Sequence, residues 1–113
     1  MSIFEAKEWW STNISNNEEF DGNSICIDNI DNSNPPRNKI IVSSFSGYLR
    51  FYEPAFREYK LEDLVFEKYF DFPILQIGSG NFIINSQERQ LAILQTKRLI
   101  VMTFFNLKGN CYL

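Results

Sequence analysis

Lys39-Ile40-Ile41-Val42-Ser43-Ser44-Phe45-Ser46-Gly47-Tyr48-Leu49-Arg50-Phe51-Tyr52 is an apolar run, a short polar break and a second apolar run. That pattern writes two antiparallel strands joined by a tight turn. Gln90-Leu91-Ala92-Ile93-Leu94-Gln95-Thr96-Lys97-Arg98-Leu99-Ile100-Val101-Met102 repeats the design about 50 residues further on, the period of a β-propeller blade. Each blade of a propeller buries its faces only against its neighbours, and two copies cannot close a ring. The expected fold is therefore all-β: the first two four-stranded blades of an incomplete propeller of the WD40-like, seven-bladed type.

Working outward, Ser24-Ile25-Cys26-Ile27 reads as a first strand, and Asp28 to Asn38, with Pro35-Pro36 inside it, as a loop. Ile40-Ile41-Val42 suits an inner strand covered on both faces. After the Ser46-Gly47 turn, Leu49 and Phe51 point one way and Tyr48, Arg50 and Tyr52 the other, a period of two. Pro54 stops this strand, and Leu64 to Phe70, mixed in charge, suits a guarded outer edge. In the second unit Pro73 to Ile77 is a strand ended by Gly78-Ser79-Gly80, and Leu91 to Leu94 and Leu99 to Phe105 follow. Leu107-Lys108-Gly109-Asn110 reads as a turn and Cys111-Tyr112-Leu113 as the start of an unfinished strand, so the sequence is expected to be a piece of something larger. Ahead of both units, Ser2 and Glu5 form a capping box for a short helix over about residues 3 to 10. The expected organisation is a helix and polar loop over 1–20, a first blade over 21–70 and an incomplete second blade over 71–113.

Composition excludes several classes. With 113 residues, 44% of them apolar and 16% aromatic, the chain needs a core and is not a disordered tail. A net charge of −3 with scattered basic residues argues against phosphate neutralisation and so against nucleic acid. Charges in Met1 to Glu8 replace the hydrophobic stretch of a signal peptide, and no apolar run reaches the length of a membrane span. Cys26 and Cys111 read as small buried hydrophobes in a reduced, intracellular compartment.

Catalytic chemistry has little to work with. The chain has no histidine, its two cysteines lack zinc spacing, and Gly78-Ser79-Gly80 lacks the further glycine of a dinucleotide site. Glu18-Glu19 and Glu62-Asp63 lie in polar loops and read as solvated. No catalytic, cofactor-binding or metal-binding residue is assigned. Asp28-Asn29-Ile30-Asp31-Asn32-Ser33-Asn34 resembles an integrin-type calcium loop. Ile30 and Pro35 interrupt its two registers, and Arg37 and Lys39 stand where acids would help. Turn capping by Asp and Asn is the preferred reading, and a calcium-binding, extracellular ligand-binding propeller the alternative. Trp9-Trp10 is either a partner-binding anchor or, as preferred, a pair folded back over an end of the blades.

Met1 to Thr12 with its double tryptophan, Glu18-Glu19-Phe20-Asp21, the hairpin from Lys39 to Arg50, Pro73 to Ile77 and Leu91 to Leu94 together resemble the start of the parathyroid hormone-responsive B1 family. That family is the ninth Bardet–Biedl syndrome protein, a subunit of the BBSome. Pro54 to Leu61 and Ile83 to Glu88 depart from its pattern. The resemblance implies the amino-terminal propeller of a longer protein that also carries an immunoglobulin-like appendage, a platform and helical parts. It implies a non-catalytic scaffold, without cofactor, in a coat-like complex that moves membrane proteins to and from cilia and is required for ciliogenesis. The implied partners are other BBSome subunits and, indirectly, an Arf-like small GTPase and membrane-protein cargo. The implied location is the cytoplasm, the cilium, its base and, peripherally, its membrane. Partner-binding residues stay unassigned.

Overall fold

The computed structural model describes residues 8–14 and 17–109. Strands β1 (Ile25–Asp28), β2 (Lys39–Ser43), β3 (Tyr48–Tyr52) and β4 (Leu64–Tyr69) form a four-stranded antiparallel sheet in chain order. Strands β5 (Ile74–Gly80), β6 (Gln90–Gln95) and β7 (Leu99–Met102) form a three-stranded one. A 3-10 turn, Leu61–Asp63, leads into β4, and helix α1 spans Phe104–Gly109. The all-β expectation holds, with one short helix added.

Register decides which residues meet. Cys26, Ile41, Phe51 and Phe66 are successive cross-strand partners, so they share one face of the first sheet. Ile77, Ile93 and Ile100 share one face of the second in the same way. These faces close on each other, with Ile30, Ile41, Leu49, Phe51, Ile74, Leu91, Ile93 and Leu107 fully buried between them. Each such side chain contributes about 1.5–3 kcal/mol relative to exposure. Phe51 sits 5.5 Å from Phe66 and 5.1 Å from Phe104, centroid to centroid, within the range of favourable aromatic pairs. Backbone bonds from Ile77 to Asn23 and from Ile74 to Ser44 tie the sheets at one side.

The predicted turn forms at Gly47, whose φ of +103° disfavours any residue with a side chain. A Cβ there would also run into the carbonyl oxygen of Phe70, whose amide donates to Gly47. Three expectations are corrected. Gly78-Ser79-Gly80 does not stop the strand after Ile77 but forms the last three residues of β5, paired with Ala92, Leu91 and Gln90, and the missing side chain of Gly80 makes room for the ring of Phe82. The strand from Leu99 stops at Met102 rather than Phe105. Thr103 caps α1 through Oγ1 to the Asn106 amide and through its carbonyl to Leu107, so Leu107, read as a turn residue, enters the core. The predicted N-terminal helix falls largely on residues outside the described ones, and residues 8–10 are not helical. The unfinished strand at Cys111 to Leu113 also lies outside the described residues. Cys26 is a free, half-buried thiol packed against the core.

Candidate interaction surface

The segment before β1 runs along the outer face of the first sheet, beside β3. Trp10 Nε1 donates to Asp63 Oδ2 at 2.9 Å, and its indole meets Tyr52 and Tyr59 edge-on at 5.8 and 5.5 Å. Trp9 Nε1 donates to the Ala55 carbonyl at 2.8 Å. Further along, Glu18 accepts both terminal nitrogens of Arg50 at 2.8 Å each, while Arg50 Nε reaches Glu67 at 2.8 Å. The Phe45 amide then closes on the Glu19 carbonyl. The preferred reading of the tryptophans is thus half right: Trp10 folds back and is partly covered, whereas Trp9 stays 53% exposed against a fully exposed Phe56.

Two carboxylates read as solvated prove to be buried. The Glu18 side chain is 5% exposed, and the hydrogen bonds from Arg50 hold its pKa below the usual range against the opposing effect of burial. Asp63 is 4% exposed and takes Arg57 at 2.8 and 3.1 Å, Trp10, and the Lys60 amide at 3.0 Å. The guanidinium of Arg57 is the largest cause of a strongly lowered Asp63 pKa, followed by the Trp10 bond. A carboxylate held ionised this firmly organises a loop and does not exchange protons near neutrality. In the sequence Asp63 and exposed Glu62 are adjacent carboxylates one methylene apart in length, and the fold separates their roles.

The loop over Asp28 to Asn38 is a staple between the sheets. Ile30, which breaks the calcium-loop register, is a core residue. Asp28 Oδ2 receives Arg89 Nε at 2.9 Å, and Asn32 exchanges side-chain bonds with the Arg89 backbone. Burial alone would raise the pKa of Asp28, but bonds from Ser79, Arg89 and the Asn29 amide lower it. Lys39 Nζ, on a side chain 3% exposed, stands among the loop's oxygens: Asp31 Oδ1 at 2.8 Å, the Arg37 carbonyl at 2.9 Å and Ser33 Oγ at 3.4 Å. Glu53 Oε1 adds an ion pair at 3.5 Å without an aligned hydrogen bond. An ammonium therefore occupies the place a cation would take. Its signal in the sequence is Lys39 sharing the inward register of Ile41 and Ser43.

Parts of both sheets' outward faces are apolar and uncovered. On the first sheet Ile25 and Ile27 are 53% and 60% exposed, with Tyr69 at the far edge. On the second, Leu94, Leu99 and Val101 stand exposed beside Gly78 and Ala92. Among the described residues no group of three or more acidic, histidine or cysteine side chains is placed to hold a metal, and no helix is long and apolar enough to cross a membrane.

Fold and surface define an all-β module of two stacked antiparallel sheets with exposed apolar side chains on both outer sides. The chain belongs to the family described as PTHB1 N-terminal, whose family model matches residues 1–112. It is 39% identical over 114 residues to Protein PTHB1 of Mus musculus and of Homo sapiens, and 38% identical to that of Xenopus laevis. Each match covers 97% of this chain and 13% of the relative, so the chain spans a small part of the length of those proteins.

Proposed function

We propose that the chain is a non-catalytic scaffold module, two consecutive blades of a β-propeller within a BBSome subunit that serves trafficking of membrane proteins to and from cilia. The observation that carries this reading is uncovered apolar surface on both outer sides, at the β1 edge of the first sheet and across the second. Ile25 and Ile27 on one side and Leu94, Leu99 and Val101 on the other are what radial stacking of further blades would bury. Membership of the PTHB1 N-terminal family supports the assignment to that complex. On this reading the module holds other BBSome subunits, and through them an Arf-like GTPase and cargo. It works in the cytoplasm, at the ciliary base and in the cilium, with only peripheral membrane contact. The calcium-binding extracellular alternative loses its main support, because Lys39 sits among the oxygens it would need. The test is recovery of the tagged full-length protein from ciliated cells. Co-recovery of other BBSome subunits is expected, and recovery with none of them overturns the proposal.

A further inference from the structure

Glu8, Trp9, Trp10, Ser11, Glu58 and Tyr59 line a pocket of about 350 Å³. We propose that this pocket receives a single basic side chain, lysine or arginine, presented by an extended segment of a partner protein. Its lining offers acceptors and aromatic carbon and almost nothing that donates. Trp9 Nε1 is committed to Ala55, Trp10 Nε1 to Asp63, and the Ser11 hydroxyl donates to Glu8. None of the six residues is basic. Arg57, on the same segment, is held by Asp63, Glu62 and the backbone carbonyl of Glu58, which leaves the Glu58 carboxylate without it.

Tyr59 and Trp10 meet at 72°, so their rings form a corner into which a cation can bring its charge within about 6 Å of an aromatic centroid. Donation from the Trp10 N–H to an ionised carboxylate leaves that indole richer in electrons, which strengthens such a contact. Glu8 and Glu58 add full charges at the same pocket, so a lysine or arginine finds both its stem and its head matched. Exposed Trp9, backed by Phe56, is a large aromatic surface of the kind that dominates association energetics. A size near the lower end of ligand sites holds one long side chain together with its flanking backbone and not a folded element.

The inference rests on the pocket and stands apart from the ciliary reading, so a failed co-recovery does not touch it. The test titrates the whole chain with the peptide Gly-Ser-Arg-Ser-Gly, its lysine counterpart and its neutral glutamine counterpart, followed by tryptophan fluorescence and calorimetry. The basic peptides are expected to bind saturably and at least tenfold more tightly than the glutamine peptide. Glu58→Gln and Trp9→Ala are each expected to remove most of that difference, with circular dichroism unchanged. Equal binding of all three peptides, no saturable binding of the basic ones, or a preference that survives both substitutions overturns the proposal. Glu58→Gln keeps the test decisive if Trp9→Ala disturbs the fold.

Discussion

Trp10 and Asp63, 53 positions apart in the chain, are joined by a 2.9 Å hydrogen bond that pins the leading segment onto the turn before β4. Asp63 also receives both terminal nitrogens of Arg57, so one carboxylate gathers three stretches of chain: the leading segment, the 54–60 loop and its own turn. Three of its four donors converge on Oδ2 and the fourth, Arg57 Nη2, on Oδ1.

Acid should therefore loosen this module early. Asp63, Glu18, Asp28 and Asp31 all have lowered pKa values in the folded chain. A group of this kind contributes stability that is present above its unfolded pKa, about 4, and lost as pH falls toward the folded value. Thermal melting followed by circular dichroism should show a falling midpoint from about pH 5 downward, and Asp63→Asn should flatten that slope. An unchanged slope in the variant would locate the dependence in the other carboxylates.

Phe51→Ala should be the most damaging core change. The ring is fully buried between Phe66 and Phe104, and its removal leaves a cavity between two sheets that cannot collapse separately. A loss of about 3–5 kcal/mol is expected in urea unfolding.

At Gly47 the expected cost is conformational. Gly47→Ala places a side chain at positive φ and against the Phe70 carbonyl, so the hairpin must shift. Hydrogen exchange should rise at Tyr48 and Phe70, the amides that depend on this turn.

Calcium should do nothing to the loop after β1. With Lys39 Nζ among its oxygens, calorimetric titration to about 1 mM calcium should give no saturable heat, the range in which extracellular modules bind. Lys39→Met should destabilise by about 2 kcal/mol, because Asp31 loses a charged hydrogen-bond partner and Met restores none. Saturable heat from the unaltered chain would revive the calcium reading.

The outer faces supply a further prediction. The isolated chain should self-associate, and Leu99→Lys with Ile27→Lys should shift it toward monomer in sedimentation without lowering its melting point, since both side chains are exposed. A monomeric unaltered chain with a sharp cooperative melt would contradict the stacking argument.

Much of the sheet was legible in advance. The β3 strand lies at Tyr48–Tyr52 as its alternation indicates, and β2 lies within one residue of the apolar run at Ile40–Val42. The errors fell where local chemistry was ambiguous. Glycines that end strands elsewhere lie within β5: Gly80 makes room for the ring of Phe82, and neither Gly78 nor Gly80 has a positive φ. Thr103 turns an apolar run into a capped helix, a choice that depends on Leu107 finding a buried site beneath the sheets.

Period and alternation are properties of neighbouring residues, so the sequence by itself determined the two hairpins and the all-β class. Which charges become structural is a property of distance in space. Asp63 and Glu62 are chemically near-equivalent neighbours, yet only one meets Trp10 and Arg57; Lys39 is an ordinary surface type until the loop closes around it. Those assignments, and the pocket at Trp9 and Trp10, come from the tertiary structure alone, because burial and ion pairing arise from contacts between segments that local sequence does not bring together.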